Sequence, residues 1–323
     1  MEAELIERTG IPFSAIPAAG LHGVGVRALP GNLMKMIQGI FASGKILRNF
    51  RPNVLFFTGG FVAVPMAIAG HALPKLLCVP DIEPGLAMKF LSLFSDRITL
   101  PVEEAKKYYP AQNKLVVTGY PIRKELSKWQ RPESIKFFKL SPNLPVLLVS
   151  GGSKGARSIN RAVLNHLTTL LEKTQIIHLS GSLDWNLVEQ VVATLPANLA
   201  ARYRPYPFLH EMGAAFAAAD LILSRAGASI LGEYPYFGLP AVLVPYPHAW
   251  RYQRINAEHL AAHGAAIILP EDQLDEKLPV LIPELLQATE RLNQMGASMR
   301  SLSRADAAEK IAGQIMELAG ARS

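Results

Sequence analysis

Residues 220–233, Asp-Leu-Ile-Leu-Ser-Arg-Ala-Gly-Ala-Ser-Ile-Leu-Gly-Glu, run from an apolar stretch through small side chains into a helix-like segment. Leu221 to Leu223 read as a buried strand. Ala226, Gly227 and Ala228 keep side chains away from the turn, and Ser229 is a candidate N-cap. The N–H groups of residues 229 to 232 are then expected to lie unpaired at a helix start. There the peptide dipoles favour an anion such as a diphosphate. Glu233 follows one turn later, too deep to act as the cap. A carboxylate in that place can accept hydrogen bonds from two vicinal hydroxyls, as a ribose offers. The plainer alternative is an acidic residue that suits the helix dipole.

The same arrangement occurs earlier. Residues 145–160, "PVLLVSGGSKGARSIN", take an apolar strand into Gly151-Gly152-Ser153-Lys154-Gly155 and then a helix. Glycines allow a tight turn and a close approach of backbone to ligand. The spacing is neither a dinucleotide fingerprint nor a Walker loop. It reads either as a tight strand-to-helix turn or as a phosphate or sugar-nucleotide loop. Further on, "GLPAVLVPYPHAWRYQRINAEHL" places Pro245 and Pro247 in the turn after a strand, with Gln253 and Asn256 three apart on the following helix. Amides on one helix face can bind sugar hydroxyls, or be ordinary surface polar residues. In the first half, Thr58-Gly59-Gly60-Phe61 forms another glycine turn, and Asp81 and Glu83 follow a further strand in "CVPDIEPG". Carboxylates at strand ends suit hydroxyl binding or base catalysis, and otherwise are solvated loop residues.

These residues need a scaffold, and apolar runs of strand length supply one. They are Val54–Phe57, Lys75–Val79, Arg97–Leu100, Leu115–Thr118, Val146–Ser150, Gln175–Leu179, Leu221–Ser224, Ala241–Pro245 and Ala266–Leu269. Short continuous apolar strands alternating with helices indicate parallel sheets covered on both faces, hence an α/β chain. The 323 residues suffice for about two domains at ~150 residues each. The polar, basic, proline-broken segment 121–145 reads as the connection, with a boundary near residue 125. Each half is expected to be doubly wound, with ligands bound outside the C-terminal ends of its strands. A final amphipathic helix is expected over 302–318.

Composition narrows the chemistry. Cys78 is the only cysteine, which excludes an internal disulfide and a thiolate cluster and fits a reducing compartment. The histidines show no metal-binding spacing, so no metal site is expected. A net charge of +7 favours polyanions, phosphorylated substrates or anionic membranes. No nucleic-acid motif or long basic run is present. The opening "MEAELIERTG" is acidic and does not read as a signal peptide. Residues 53–74 lack formal charge, but Gly59, Gly60 and Pro65 break them into a strand, a turn and a short helix rather than a membrane span. In residues 33–51, Leu33, Met36, Ile37, Ile40, Phe41 and Leu47 fall on helical spacing with Lys35, Lys45, Arg48 and Arg51 interspersed. That is a core-facing helix with a basic edge, or an interfacial helix on anionic lipid that Met88, Phe90, Leu91, Leu93 and Phe94 could extend.

Taken together, "TGGFVAVP", "VTGYPIRKEL", "LLVSGGSKGARSIN", "ADLILSRAGASILGE" and "GLPAVLVPYPHAWRYQRINAEHLAAHGAA" resemble the MurG family of glycosyltransferases, in that family's order and along the whole chain. The resemblance implies the GT-B architecture: two Rossmann-like doubly wound domains facing a cleft. It implies residues 1–124 as the acceptor and membrane side, residues 125–301 as the UDP-sugar domain, and helix 302–323 packing back on the first. It implies transfer of N-acetylglucosamine from UDP-N-acetylglucosamine to undecaprenyl-diphosphate-linked muramoyl pentapeptide, with inversion and no cofactor or metal. It implies a peripheral protein on the cytoplasmic face of the inner membrane. The implied donor contacts are Arg123 near the diphosphate, Ser153 in the glycine loop, Leu209 holding uracil through its backbone, Ala228, Ser229, Ile230, Leu231 and Gly232 at the diphosphate-binding helix start, Glu233 on the ribose, and Gln253 on the sugar.

The sequence also departs from that pattern. The family's Gly-Gly-Thr-Gly-Gly-His loop is not found, and the recorded start corresponds to a point several tens of residues into the family. Cys78-Val79-Pro80-Asp81 stands where the family has His-Glu-Gln-Asn, which puts a carboxylate in place of an amide among the substrate contacts. Ile230 replaces a threonine, and Tyr252 replaces the first of two glutamines. The general base is therefore open among His22, Asp81 and Glu83. The alternatives to the transferase are a non-catalytic UDP-sugar-binding paralogue or partner subunit, and a transferase for another lipid acceptor.

Overall fold

A computed structural model describes the chain apart from residues 1–5, 7–9, 21–24, 153, 248–251 and 321–323. Its contacts divide the chain into two compact units. One comprises Met1–Pro80, Pro84–Val117 and Glu309–Ser323, the other Asp81–Glu83 and Thr118–Ala308.

The first unit is built on four parallel strands: β1 (Leu55–Phe57), β2 (Lys75–Cys78), β3 (Arg97–Leu100) and β4 (Leu115–Val117), paired in chain order. Helix α1 (Leu29–Phe50) precedes them, α2 (Ala63–Ala69) links β1 to β2, and α3 (Leu86–Phe94) links β2 to β3. The uncharged segment 53–74 is thus β1, a turn and α2. Among the described residues no helix is long and apolar enough to cross a membrane.

Helix α1 buries Met36, Gly39 and Ser43, a stripe of mostly small side chains, against α2. A Cβ on Gly39 would stand 2.2 Å from the Pro17 carbonyl oxygen, so only glycine permits the approach. The larger apolar residues Leu33, Met34, Ile37 and Phe41 of the same helix are exposed. Along α3, Met88 and Leu91 are buried, whereas Leu86, Phe90, Leu93 and Phe94 are exposed.

The second unit carries six parallel strands: β5 (Val146–Ser150), β6 (Gln175–Leu179), β7 (Tyr203–Tyr206), β8 (Leu221–Ser224), β9 (Ala241–Leu243) and β10 (Ala266–Ile268). Their order is β10-β9-β8-β5-β6-β7. The chain starts in the middle, winds outward to β7, then returns to β8 and winds the other way. The reversal between β5 and β8 is the topological switch point of a doubly wound sheet. Leu147, Val149, Leu221, Leu223, Val242 and Val244 pack against helical residues such as Ile159, Val163, Leu278 and Ile282 to form the core.

Two elements differ from expectation. Strand β7 was not anticipated. It is an edge strand pairing with β6 alone, so it tolerates Pro205 and the charge of Arg204. The expected helix 302–318 is displaced: a helix over Thr289–Ser301 ends at Leu302, and the last helix, α4, spans Ala307–Gly320. Ile311 of α4 packs on Leu76 and Cys78, and Arg97 reaches Glu317 at 3.0 Å, all within the first unit.

Candidate functional site

Strands β5 and β8 run side by side and end in register at Ser150 and Ser224. The loops that follow diverge, because the next helices leave on opposite faces of a doubly wound sheet. A crevice opens between them.

On the β5 side the glycine loop is held by a neighbouring turn. Gly155 has φ +78°, and a Cβ on it would lie 2.0 Å from the Ser180 carbonyl oxygen. A Cβ on Gly181 would in turn lie 2.6 Å from the Gly155 nitrogen. Two strand-to-helix turns therefore touch backbone to backbone, which side chains would prevent. Ser153, at the centre of this loop, lies outside the described residues, as does His22.

A buried polar chain fixes the pair of turns from below. The Asn160 amide donates to the Ser180 carbonyl and to Asp184, each at 2.8 Å. Its Oδ1 is 3.0 Å from His178 Nε2, and His178 Nδ1 is 2.7 Å from the Tyr203 hydroxyl. Since the Asn160 NH₂ is already committed to acceptors, its Oδ1 must accept, which assigns the proton to His178 Nε2. Burial pushes the His178 pKa down to about 4, with Asp184 only partly opposing, so the ring is neutral at pH 7.

On the β8 side the helix starts at Ile230 with Ser229 in the N-cap place, as expected, but the cap geometry differs. Ser229 already has helical dihedrals (φ −62°, ψ −22°) and makes no capping bond. The N–H groups of Ile230, Leu231 and Gly232 donate to the carbonyls of Gly227, Ala228 and Ser229 at 3.1–3.2 Å, a tight first turn. The expected free donors at 229–232 are thus largely used. The N–H groups of Gly227, Ala228 and Ser229 are the ones with no hydrogen bond to any described residue. The unpaired donors therefore lie closer to β8, in the turn before the helix Ile230–Phe237.

A cavity of about 460 Å³ occupies the crevice, lined by Arg123, Leu209, Gly227, Ser229, Glu233 and Gln253, with Ile230 beside them. Ala228 is not among the lining residues, Leu231 is buried in the core, and Gly232 packs against Tyr120. Burial raises the Glu233 pKa, while the Ser229 hydroxyl and the Arg123 guanidinium, 3.9 Å away, pull it back. The peptide groups of Leu209 make no hydrogen bond to a described residue. Gln253 accepts the Tyr246 N–H at 2.9 Å through Oε1, and its NH₂ makes no hydrogen bond to a described residue. A larger groove of about 980 Å³ lies at the opposite, N-terminal ends of the strands and contains none of these residues.

Asn256 corrects the expectation of a second amide available to a sugar. It is fully buried, and both ends of its amide are used. Oδ1 accepts the Ile82 N–H at 3.3 Å, and Nδ2 donates to Asp81 at 2.9 Å and to the Ala226 carbonyl at 3.3 Å. Asp81 is not among the cavity-lining residues but is tied to the turn after β8 through Asn256. Sequence reasoning did not single out Arg225. Its guanidinium donates to the Val244 carbonyl at 3.1 Å and to Ser158 at 2.8 Å, pairs with Glu271, and lies over the Tyr246 ring. A lone arginine at the end of an apolar strand was the available signal.

Known proteins share this construction. Residues 146–311 match the glycosyltransferase family 28 C-terminal domain, and residues 1–99 match the family 28 N-terminal domain. A protein of Roseiflexus sp. (strain RS-1) is named UDP-N-acetylglucosamine--N-acetylmuramyl-(pentapeptide) pyrophosphoryl-undecaprenol N-acetylglucosamine transferase. It is 36% identical over 353 residues, covering 97% of this chain and 80% of its own. Its namesake in Chlorobium luteolum is 37% identical over 329 residues, covering 99% and 88%. The crystal structure of Acinetobacter baumannii MurG superposes with a TM-score of 0.75 at 26% identity, covering 98% of this chain and 88% of that one. The chain belongs to glycosyltransferase family 28 and, within it, to the MurG family.

Proposed function

We propose that this protein transfers N-acetylglucosamine from UDP-N-acetylglucosamine to the muramoyl sugar of an undecaprenyl-diphosphate-linked pentapeptide, with inversion, in peptidoglycan synthesis. The observation that carries the reading is the switch-point cavity. It is lined by the buried Glu233 carboxylate, the Arg123 guanidinium 3.9 Å from it, and Gly227 and Ser229, whose N–H groups make no hydrogen bond to a described residue.

Each part has a task in that reaction. The Leu209 peptide groups pair with the uracil edge. Glu233 accepts from the two ribose hydroxyls, since an ionised carboxylate takes several such bonds. The N–H groups of Gly227, Ala228 and Ser229, with Arg123, meet the diphosphate. Charge grows on that diphosphate as the glycosidic bond breaks, and fixed donors in a partly enclosed cavity stabilise it without reorganising. The free NH₂ of Gln253 reaches the sugar. Ser153 belongs to the same loop as Gly151 and Gly152, which line the cavity.

We assign the acceptor and membrane side to residues 1–124 with 302–323, and the donor side to residues 125–301. The outward Leu33, Met34, Ile37 and Phe41 of α1, interspersed with Lys35, Lys45 and Arg48, support peripheral binding to an anionic membrane at its cytoplasmic face. The exposed apolar residues of α3 add to that side.

The test is direct. Purified protein is incubated with labelled UDP-N-acetylglucosamine and the lipid-linked acceptor, and product and UDP are followed by mass spectrometry. UDP binding without transfer to this acceptor, under conditions in which an authentic family enzyme is active, would remove the transferase reading.

A further inference from the structure

We propose that Asp81 is the general base of the transfer and that Asn256 is the residue that positions it. The proposal rests on the transferase reading above. Inverting transfer needs a group that takes the proton of the attacking hydroxyl as the new bond forms.

A hydrogen-bond link ties Asp81 to the turn that borders the donor cavity, and an electrostatic one supports it. The first is Asn256, fully buried, whose NH₂ bridges Asp81 Oδ1 (2.9 Å) and the carbonyl of Ala226 (3.3 Å). Ala226 immediately precedes Gly227, the first of the free N–H donors. The second is Tyr252, which precedes Gln253. Its phenol is held above its ordinary pKa by burial and by the charges of Glu83 and Asp81, so the ring lies within electrostatic reach of both. Asp81 is thus joined through Asn256 to the backbone next to the free N–H of Gly227, a cavity-lining residue. All these residues fall in the second unit.

The carboxylate is also suitably oriented. Oδ1 is occupied by Asn256, and the Ile82 N–H to Asn256 Oδ1 bond (3.3 Å) fixes which way the amide faces. Oδ2 has no hydrogen bond to any described residue, and the side chain is partly exposed. Burial raises the Asp81 pKa, against the smaller effect of the Asn256 bond, making it a stronger base than a solvated aspartate. Glu83 differs: it is only 3% exposed and closed to an acceptor. It acts as a neighbouring charge.

The step balances. The acceptor hydroxyl oxygen forms a bond to the anomeric carbon with a lone pair. The bond from that carbon to the β-phosphate oxygen breaks, and its electron pair leaves with UDP. The hydroxyl proton passes to Asp81 Oδ2 and later to water. An asparagine in this place could bind the hydroxyl but could not take its proton.

The test compares wild type, Asp81→Asn, Asp81→Glu and Asn256→Ala in transfer kinetics, with UDP dissociation constants measured by calorimetry. Asp81→Asn is expected to lower kcat by about 10²–10⁴-fold with the UDP dissociation constant unchanged. Asp81→Glu is expected to recover part of the rate. Wild-type kcat is expected to fall on the acid side through one ionisation above the ordinary aspartate range. Asn256→Ala, which removes a bond to the ionised form, should move that limb to higher pH. Tyr252 is the ionisable group whose titration feels both Asp81 and Glu83. Tyr252→Phe keeps the limb, which separates its titration from that of Asp81. An Asp81→Asn protein with wild-type kcat overturns the assignment, as does one that loses UDP binding together with activity. A wild type that binds UDP but transfers nothing overturns the transferase reading and the assignment with it.

Discussion

The Arg123 guanidinium stands 3.9 Å from the Glu233 carboxylate, too far for a direct hydrogen bond and close enough to hold its charge. Arg123 is largely exposed and Glu233 largely buried. The carboxylate is therefore kept with lone pairs open toward the cavity. Glu233→Ala should weaken UDP binding by roughly 1–3 kcal/mol, the range for a lost charged hydrogen bond, or about 5- to 150-fold in the dissociation constant. Calorimetry reads this directly, and unchanged affinity removes Glu233 from the site. Stability should move the other way. Burial raises the Glu233 pKa above that of the unfolded chain. Its favourable contribution is then full below the unfolded pKa and is lost as pH rises through the folded one. At pH 7 the unliganded Glu233→Gln protein should melt higher than wild type.

His178 offers a pH signature of the scaffold under the glycine loop. Its pKa is pushed down to about 4 by burial, from the ordinary 6.5. Between those values the unfolded chain binds a proton that the folded chain refuses. Stability is full above the unfolded pKa and falls as pH drops toward the folded one, by about 3 kcal/mol in total at about 1.4 kcal/mol per pKa unit. Urea unfolding of wild type and His178→Asn at pH 7 and at pH 4.5 isolates this. The advantage of wild type should shrink by most of that amount at the lower pH. A gap that ignores pH would show that the ring is protonated in the folded protein.

Glycines 152 and 155 separate backbone strain from steric contact. Both have positive φ, +83° and +78°, but a Cβ on Gly152 meets nothing within 4 Å while one on Gly155 strikes the Ser180 carbonyl. Gly152→Ala should cost the conformational penalty alone, about 1 kcal/mol. Gly155→Ala should cost clearly more and weaken UDP binding, because the two turns must separate. Equal melting shifts for the two variants would show that the turns do not need their backbone contact.

What the sequence discloses here follows the range of the interaction. The continuous apolar strands Val146–Ser150 and Leu221–Ser224 are legible because both faces of a parallel sheet are buried, and the switch-point loops because small residues mark them. Glu233 is legible as a lone carboxylate one turn into a helix. Strand β7 is hidden by Arg204 and Pro205, which an edge position tolerates. The shift of free donors to Gly227, Ala228 and Ser229 depends on a tight first turn that residue types do not specify. Asn256 looked like an available amide because its partner Asp81 is 175 residues away in sequence. Only folding reveals that the amide is already committed.

Helix α1 presents its side chains in the reverse of the usual order, small residues inward and Leu33, Met34, Ile37 and Phe41 outward. An exposed Phe41, at 76% of its free surface, contributes nothing to the core, so its retention asks for a partner. With Lys35, Lys45 and Arg48 on the same helix, an anionic bilayer supplies both an apolar phase and countercharge. The protein should therefore sediment with vesicles containing anionic lipid at low salt and be released as ionic strength rises, since exposed charges are screened beyond about 10 Å at 0.1 M. Phe41→Asp should weaken this binding at every salt concentration. It should leave the melting temperature and UDP affinity unchanged, because the side chain touches neither core nor cavity. Equal sedimentation of Phe41→Asp and wild type would take α1 out of the membrane contact, and a lowered melting temperature would place Phe41 in the packing after all.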